Sequence, residues 1–204
     1  GKWTAASTLL INRTDRMGEE LVDNLARARV GVAGNLLCLN LEGDGASVER
    51  AEESQSELGD GMAGQMAGVN GVFVDQALFQ NECFWILVQP RHLGADHIHQ
   101  DYYMIIVDNR GMARGTRYDK YGTPFRSWTP EVALDLYDTD RGWGAEVLID
   151  LEALDIPVDS EATWGFNLFR NRLLDDGEYE LQAWSYTANN FLDPETFGTL
   201  GDIT

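Results

Sequence analysis

The chain has 204 residues, 44% of them hydrophobic, with 34 acidic against 15 basic side chains and a formal charge of −19. That apolar fraction excludes a disordered chain, and the length suits one sizeable core, so a single domain over residues 1–204 is expected. The acid excess argues against a nucleic-acid or anionic-membrane partner, because phosphate binding needs Lys and Arg in surplus; a neutral ligand fits better, and most of the acidity reads as solvated surface.

No run of about 18 apolar residues exists to span a membrane. Starting at Gly1 without a signal peptide, the sequence reads as a trimmed chain whose targeting segment, if any, has been removed. Trp3 to Ile11 is a first apolar run, and Thr14 to Glu20 a polar turn. Ala28, Val30 and Val32 alternate with Arg27, Arg29 and Gly31, which predicts a strand; Gly34-Asn35 turns it, and Leu37, Leu39 and Leu41 alternate in the return strand. From residue 43 to 71 the composition shifts to Gly, Ser, Glu, Gln and small residues, with a short exposed helix expected over Ser47 to Glu57. Such a stretch is a long insertion or a ligand-proximal lid, and the plain insertion is preferred.

In the run ending at Gln89, Phe84, Ile86 and Val88 point one way and Cys83, Trp85 and Leu87 the other, the pattern of a strand apolar on both faces in the middle of a sandwich. Trp85 either fills core or floors a binding cleft. Tyr102 to Val107 predicts the next strand, Asn109-Arg110-Gly111 its turn, and Met112 to Tyr118 the next edge. Phe125 to Tyr137, Trp143 to Ile149, Trp164 to Arg170 and Glu180 to Tyr186 complete roughly ten strands, with a turn at Leu174 to Gly177 and a helical turn at Asp150 to Leu154. All-β follows, as a two-sheet antiparallel sandwich. Cys38 and Cys83 lie in apolar runs and read as buried free thiols, with a bridge between neighbouring strands as the alternative.

Catalytic signals are missing. With 34 carboxylates a glycosidase-like pair could always be found, so abundance decides nothing, and neither a nucleophile elbow nor a phosphate loop is present. His97 and His99, with Asp96 and Asp101, form the one His cluster; solvated surface histidines are preferred over a transition-metal set. Asp135, Asp138 and Asp140 offer oxygens of the kind calcium takes, without the full loop pattern, so the metal question stays open.

The last third carries W-G-F-N-x-x-R (Trp164 to Arg170), A-W-S (Ala183 to Ser185) and F-x-D-P-E-x-F-G-x-L (Phe191 to Leu200). In that order these motifs resemble the closing strands and binding loop of the family 9 carbohydrate-binding modules and their DOMON-like relatives. The similarity extends back through Gly142 to Leu154, Tyr102 to Gly111, Asn81 to Pro90 and Arg29 to Glu42. The resemblance implies a non-catalytic β-sandwich accessory module that binds a glycan, fused to other domains of an extracellular or periplasmic polysaccharide-processing protein. Structural calcium is known among the relatives.

The family holds a terminal sugar between two tryptophans, and the matching positions here are Phe79 and Phe191. A Glu that binds sugar hydroxyls matches Trp85, and an Arg on the neighbouring strand matches Ile106, so the terminal-sugar specificity does not carry over. The expected ligand-binding residues are Phe79, Trp85, Asn189, Asn190 and Phe191. Similar modules that bind haem would nominate Met104, Met112 and His97, and a structural accessory domain with its cleft filled by Trp85 is the third class. Phe84, Ile86, Leu37, Leu39, Ile105, Val147, Ile149, Phe166 and Leu168 are expected in the core, and Arg170 buried against a carboxylate.

Overall fold

Alternation of apolar and polar residues at period two favours sheet, and the computed structural model is built from strands. It describes residues 26–45, 48, 81–90, 101–119, 121–125, 128, 130–155, 163–174, 177, 179–185 and 192–200, with the backbones of strands at 7–11, 13–14, 67–69 and 72–74. In chain order the strands are β1 (Ser7–Ile11), β2 (Arg13–Thr14), β3 (Ala26–Ala33), β4 (Leu36–Asp44), β5 (Ala67–Val69), β6 (Val72–Val74), β7 (Cys83–Gln89) and β8 (Tyr102–Asp108). They continue as β9 (Ala113–Tyr118), β10 (Pro124–Phe125), β11 (Val132–Asp138), β12 (Gly142–Asp150), β13 (Trp164–Leu173), β14 (Tyr179–Ala183) and β15 (Gly198–Leu200).

One sheet has five strands in the order β1-β3-β4-β12-β11. The other has eight, ordered β10-β9-β8-β7-β13-β14-β2, with β15 also on β13. β5 and β6 pair separately. Every pairing is antiparallel, and β3 and β4 form the expected hairpin across Gly34-Asn35. The region from Phe125 to Tyr137, read from sequence as one strand, is two: β10 ends at Phe125 and β11 begins at Val132. Pro130 has no N–H for a ladder and biases the residue before it away from helix, which suits the connection between them. Of the helix expected over Ser47 to Glu57, all but Val48 lies outside the described residues. At the other end of the chain's helical signal, Glu152–Leu154 is a 3-10 turn.

The two sheets close on a shared core. Leu37, Leu39, Val147 and Ile149 come from one sheet and Phe84, Ile86, Ile105, Phe166 and Leu168 from the other, and all are fully buried in one cluster. Each such side chain contributes about 1.5–3 kcal/mol by leaving water. The register sets this up, since Leu168 pairs with Ile86 on β7, and Ile86 with Ile105 on β8.

At one rim the sheets are joined by charge. Arg170, fully buried on β13, lies 2.9 Å from Glu82 just before β7; its Nη2 donates to that carboxylate and to the backbone oxygen of Asp44. Trp143 Nε1 on β12 donates to the same carboxylate at 2.7 Å. Gly43 makes the approach possible, because a Cβ there would fall 2.6 Å from the guanidinium carbon. Arg170 was thus expected buried and paired, and it is. Nearer the opposite end, Arg117 on β9 meets Asp101 at 2.6 Å and Asp155 at 3.6 Å, and its guanidinium lies over the rings of Tyr103 and Phe125. Tyr103 itself donates to Asp155 at 2.9 Å.

Candidate functional site

The far face of the eight-stranded sheet, turned away from the five-stranded one, carries a second apolar layer. Strand period places it there: Cys83, Trp85 and Leu87 on β7, Met104 and Ile106 on β8, and Phe169 on β13 point opposite to their core-facing neighbours. Trp85 is 4% exposed, stands directly opposite Ile106 and Phe169, and meets the Phe169 ring edge-on at 6.4 Å. Its Nε1 donates to Cys83 Sγ at 3.2 Å. Burial pushes the Cys83 thiol up to about 12, so it is a neutral thiol at any ordinary pH.

At one end of this layer, Tyr102 and Tyr118 are cross-strand partners whose rings stack at 4.9 Å and 6°. Burial pushes Tyr118 up to about 12 and raises Tyr102 still further, with Tyr118, Asp119 and Asp193 adding to the burial effect on Tyr102. Phe197 meets Tyr102 edge-on at 5.9 Å, and Leu192 joins the same cluster.

A set of side-chain hydrogen bonds holds Leu192 and Phe197 over the sheet. β14 and β15 lie on the same edge of β13, pairing with Phe169–Leu173 and Trp164–Phe166 respectively, while β7 occupies the other edge. Between them, Asn167 replaces the missing strand: its Oδ1 accepts from Ser185 N at 3.0 Å and Leu168 N at 2.9 Å, and its Nδ2 donates to Ser185 O. Ser185 Oγ donates to Thr196 O at 2.8 Å. Asp193 caps the turn that follows, accepting from Glu195 N, with Pro194 at its first position. The motif residues Asn167, Ser185, Asp193 and Pro194 therefore build a support.

By sequence alone the chain matches no family model and no curated protein. By structure it is similar to a candidate carbohydrate-binding protein from Bacteroides uniformis, with a TM-score of 0.64 at 15% identity over 96% of this chain and 85% of that one. It is also similar to a family 9 carbohydrate-binding module from Caldicellulosiruptor kristjanssonii in complex with cellotriose, with a TM-score of 0.63 at 11% identity over 98% of this chain and 84% of that one. The same kind of module in complex with glucose aligns with a TM-score of 0.58 at 12% identity, over 98% and 85%.

The fold is that of the family 9 modules.

Within this module fold, Trp85 and Ile106, the two positions where the resemblance expects Glu and Arg, are paired side by side and buried. Phe79, Asn189, Asn190 and Phe191 lie outside the described residues, as do Asp96, His97 and His99. Asp101 is engaged by Arg117. Asp135 is exposed on β11, and Asp138 accepts from Val48 N at 3.1 Å. Among the described residues no three His, Cys, Asp or Glu side chains converge to hold a metal ion. Met104 is buried and Met112 half-buried against the outer layer.

Both thiols are free, and they sit on the outward faces of different sheets, so the bridge raised as an alternative has no route. Sequence reasoning missed Glu82, which partners Arg170, and the Tyr102–Tyr118 pair. An acid immediately before six apolar strand residues, Cys83 to Val88, was the available signal for Glu82.

Proposed function

We propose that the chain is a non-catalytic carbohydrate-binding module that tethers an extracellular or periplasmic polysaccharide-processing protein to a glycan. The near full-length fold similarity to modules in complex with cellotriose and glucose carries this reading. The ligand lies over the outer layer of the eight-stranded sheet, with Phe79 and Phe191 stacking on the sugar, Asn189 and Asn190 orienting its hydroxyls, and Trp85 as the floor. Tethering raises the local concentration of whatever is attached. Because the floor is Trp85 and Ile106 where the family has polar ligands, binding is weak, with Kd about 10⁻³ to 10⁻⁴ M.

Phe191→Ala should abolish retardation on affinity electrophoresis in a glucan gel while leaving Tm nearly unchanged. Should the substitution unfold the protein, with the native chain never retarded by any glycan, Phe191 is core and the reading fails. A second reading, a structural accessory domain without ligand, is favoured by the burial of Trp85 and Ile106 to 4% and 2% exposure. Its signature is a native chain that no glycan retards.

A further inference from the structure

The five-stranded sheet ends at β11, a long and regular edge. It pairs with β12 over consecutive residues from Val132 to Asp138, and among the described strands β12 is its one partner. The hairpin fixes which backbone groups face outward. Thr139 N donates to Gly142 O at 2.9 Å, and in an antiparallel ladder such bonded pairs recur at every second residue. Tyr137, Asp135 and Ala133 therefore turn their N–H and C=O groups to β12, while Leu136, Leu134 and Val132 turn theirs to the open edge. Sheet edges are commonly blunted by proline, lysine, a bulge or an inward-pointing charge, and Val132–Asp138 has none of these.

The side chains agree with the backbone. On the inner face Val132, Leu134 and Leu136 are only partly buried against the core, although their partners on β12, Ile149, Val147 and Ala145, are fully buried. One more strand would cover them. On the outer face the exposed Asp135 stands directly opposite Glu146, and like charges so placed repel. Their row continues through Asn40 to Arg29, which is two strands beyond Glu146, roughly 10 Å at the ordinary strand spacing, and on the side away from the edge. From Pro130 to Asp140 the acids are Glu131, Asp135, Asp138 and Asp140, with no Lys or Arg among them. Val48 N donates to Asp138 at 3.1 Å, which occupies that end and leaves Val132 to Leu136 as the length on offer.

We propose that β11 docks an extended segment of another protein, added antiparallel as a sixth strand, in which apolar residues alternate with Lys or Arg. The apolar set covers Val132, Leu134 and Leu136, and a basic residue opposite Asp135 relieves its repulsion with Glu146. Main-chain bonds supply the affinity and the alternating side chains the specificity. A second copy of this chain does not fit, because β11 against β11 sets acid against acid.

The test is fluorescence anisotropy of a labelled heptapeptide alternating lysine and valine, titrated with the full chain. Beside it run a glutamate–valine peptide and a lysine–valine peptide N-methylated on its valines, the residues that bond Leu134 and Leu136. The plain lysine peptide should bind, and the other two should bind at least about tenfold more weakly. Asp135→Lys should reverse the preference between lysine and glutamate peptides, and Asp135→Asn should weaken the lysine peptide without favouring the glutamate one. Equal binding of the methylated and plain lysine peptides is general attraction to a chain of charge −19 and overturns strand addition, as does a plain lysine peptide that fails to bind. Binding that neither Asp135 substitution alters overturns β11 as the edge used. A native chain that self-associates in sedimentation velocity and takes no peptide overturns the foreign partner in favour of a second copy.

Discussion

The two faces of the eight-stranded sheet bury their residues by different means. The inner face is mostly aliphatic and meets a second sheet, so alternation alone places Ile86, Ile105 and Leu168. The outer face is aromatic and sulfur-bearing, and among the described residues its cover is the Leu192–Phe197 stretch, held through Asn167, Ser185 and Asp193. Pattern suffices for the first, whereas the second depends on a few hydrogen bonds, each of which can be removed singly. The inner face should therefore answer only for stability and the outer one for stability and ligand together.

The largest effect is expected where the inner face meets charge. Glu82→Gln leaves the buried Arg170 guanidinium without its counter-charge and should cost about 3–5 kcal/mol, read from urea denaturation. A loss below about 1 kcal/mol would mean that Arg170 finds another partner. Leu168→Ala on the inner face should cost about 2–5 kcal/mol with glycan affinity per folded molecule unchanged. If affinity falls as well, the separation between the faces is wrong.

Asn167→Ala should cost about 1–3 kcal/mol, because Ser185 N and Leu168 N lose their acceptor, and it should also weaken glycan retention by loosening the cover. Unaltered retention with lowered stability would confine Asn167 to a structural role.

The outer face should also respond to alkali. Cys83 titrates near 9.0 when unfolded and at about 12 when folded, and Tyr118 is raised in the same direction from 10.0. A group raised on folding stabilises fully below its unfolded value and loses that contribution as pH rises through the folded one. Stability should thus decline from about pH 9 towards 12, and Cys83→Ala should flatten part of that decline. A midpoint of urea unfolding equal at pH 8 and pH 11 contradicts this. The smallest perturbation is chemical labelling: in the folded protein a thiol reagent should modify half-buried Cys38 and spare buried Cys83. Equal modification rates would show that the outer layer opens readily.

Most of the sandwich was legible because its strands obey a period of two on both sides of a hairpin or turn. Leu37, Leu39 and Leu41 identified their own face, and β7, apolar on both faces from Cys83 to Val88, announced a central strand. The partner of Arg170 was less legible, since Glu82 and Arg170 are 88 positions apart and only the pairing of β7 with β13 brings them together. Phe125 to Tyr137 misled because its apolar spacing continues past Pro130 although the ladder cannot. For the site, the closing motifs were visible as a group, but the work of Asn167 was not, because an Asn inside a strand gives no sign that it will stand in for a missing neighbour.

β13 holds both ends of the closing excursion on one edge, Ala183 at its exit and Gly198 at its return. A loop anchored twice on the same strand behaves as an exchangeable cassette. Lengthening it adds only slowly to closure entropy, about 0.6 kcal/mol for each doubling, and disturbs neither sheet. The connection between Ser185 and Leu192 could therefore change in length over an unaltered sandwich, provided that Asn167 and Asp193 remain to receive the splice.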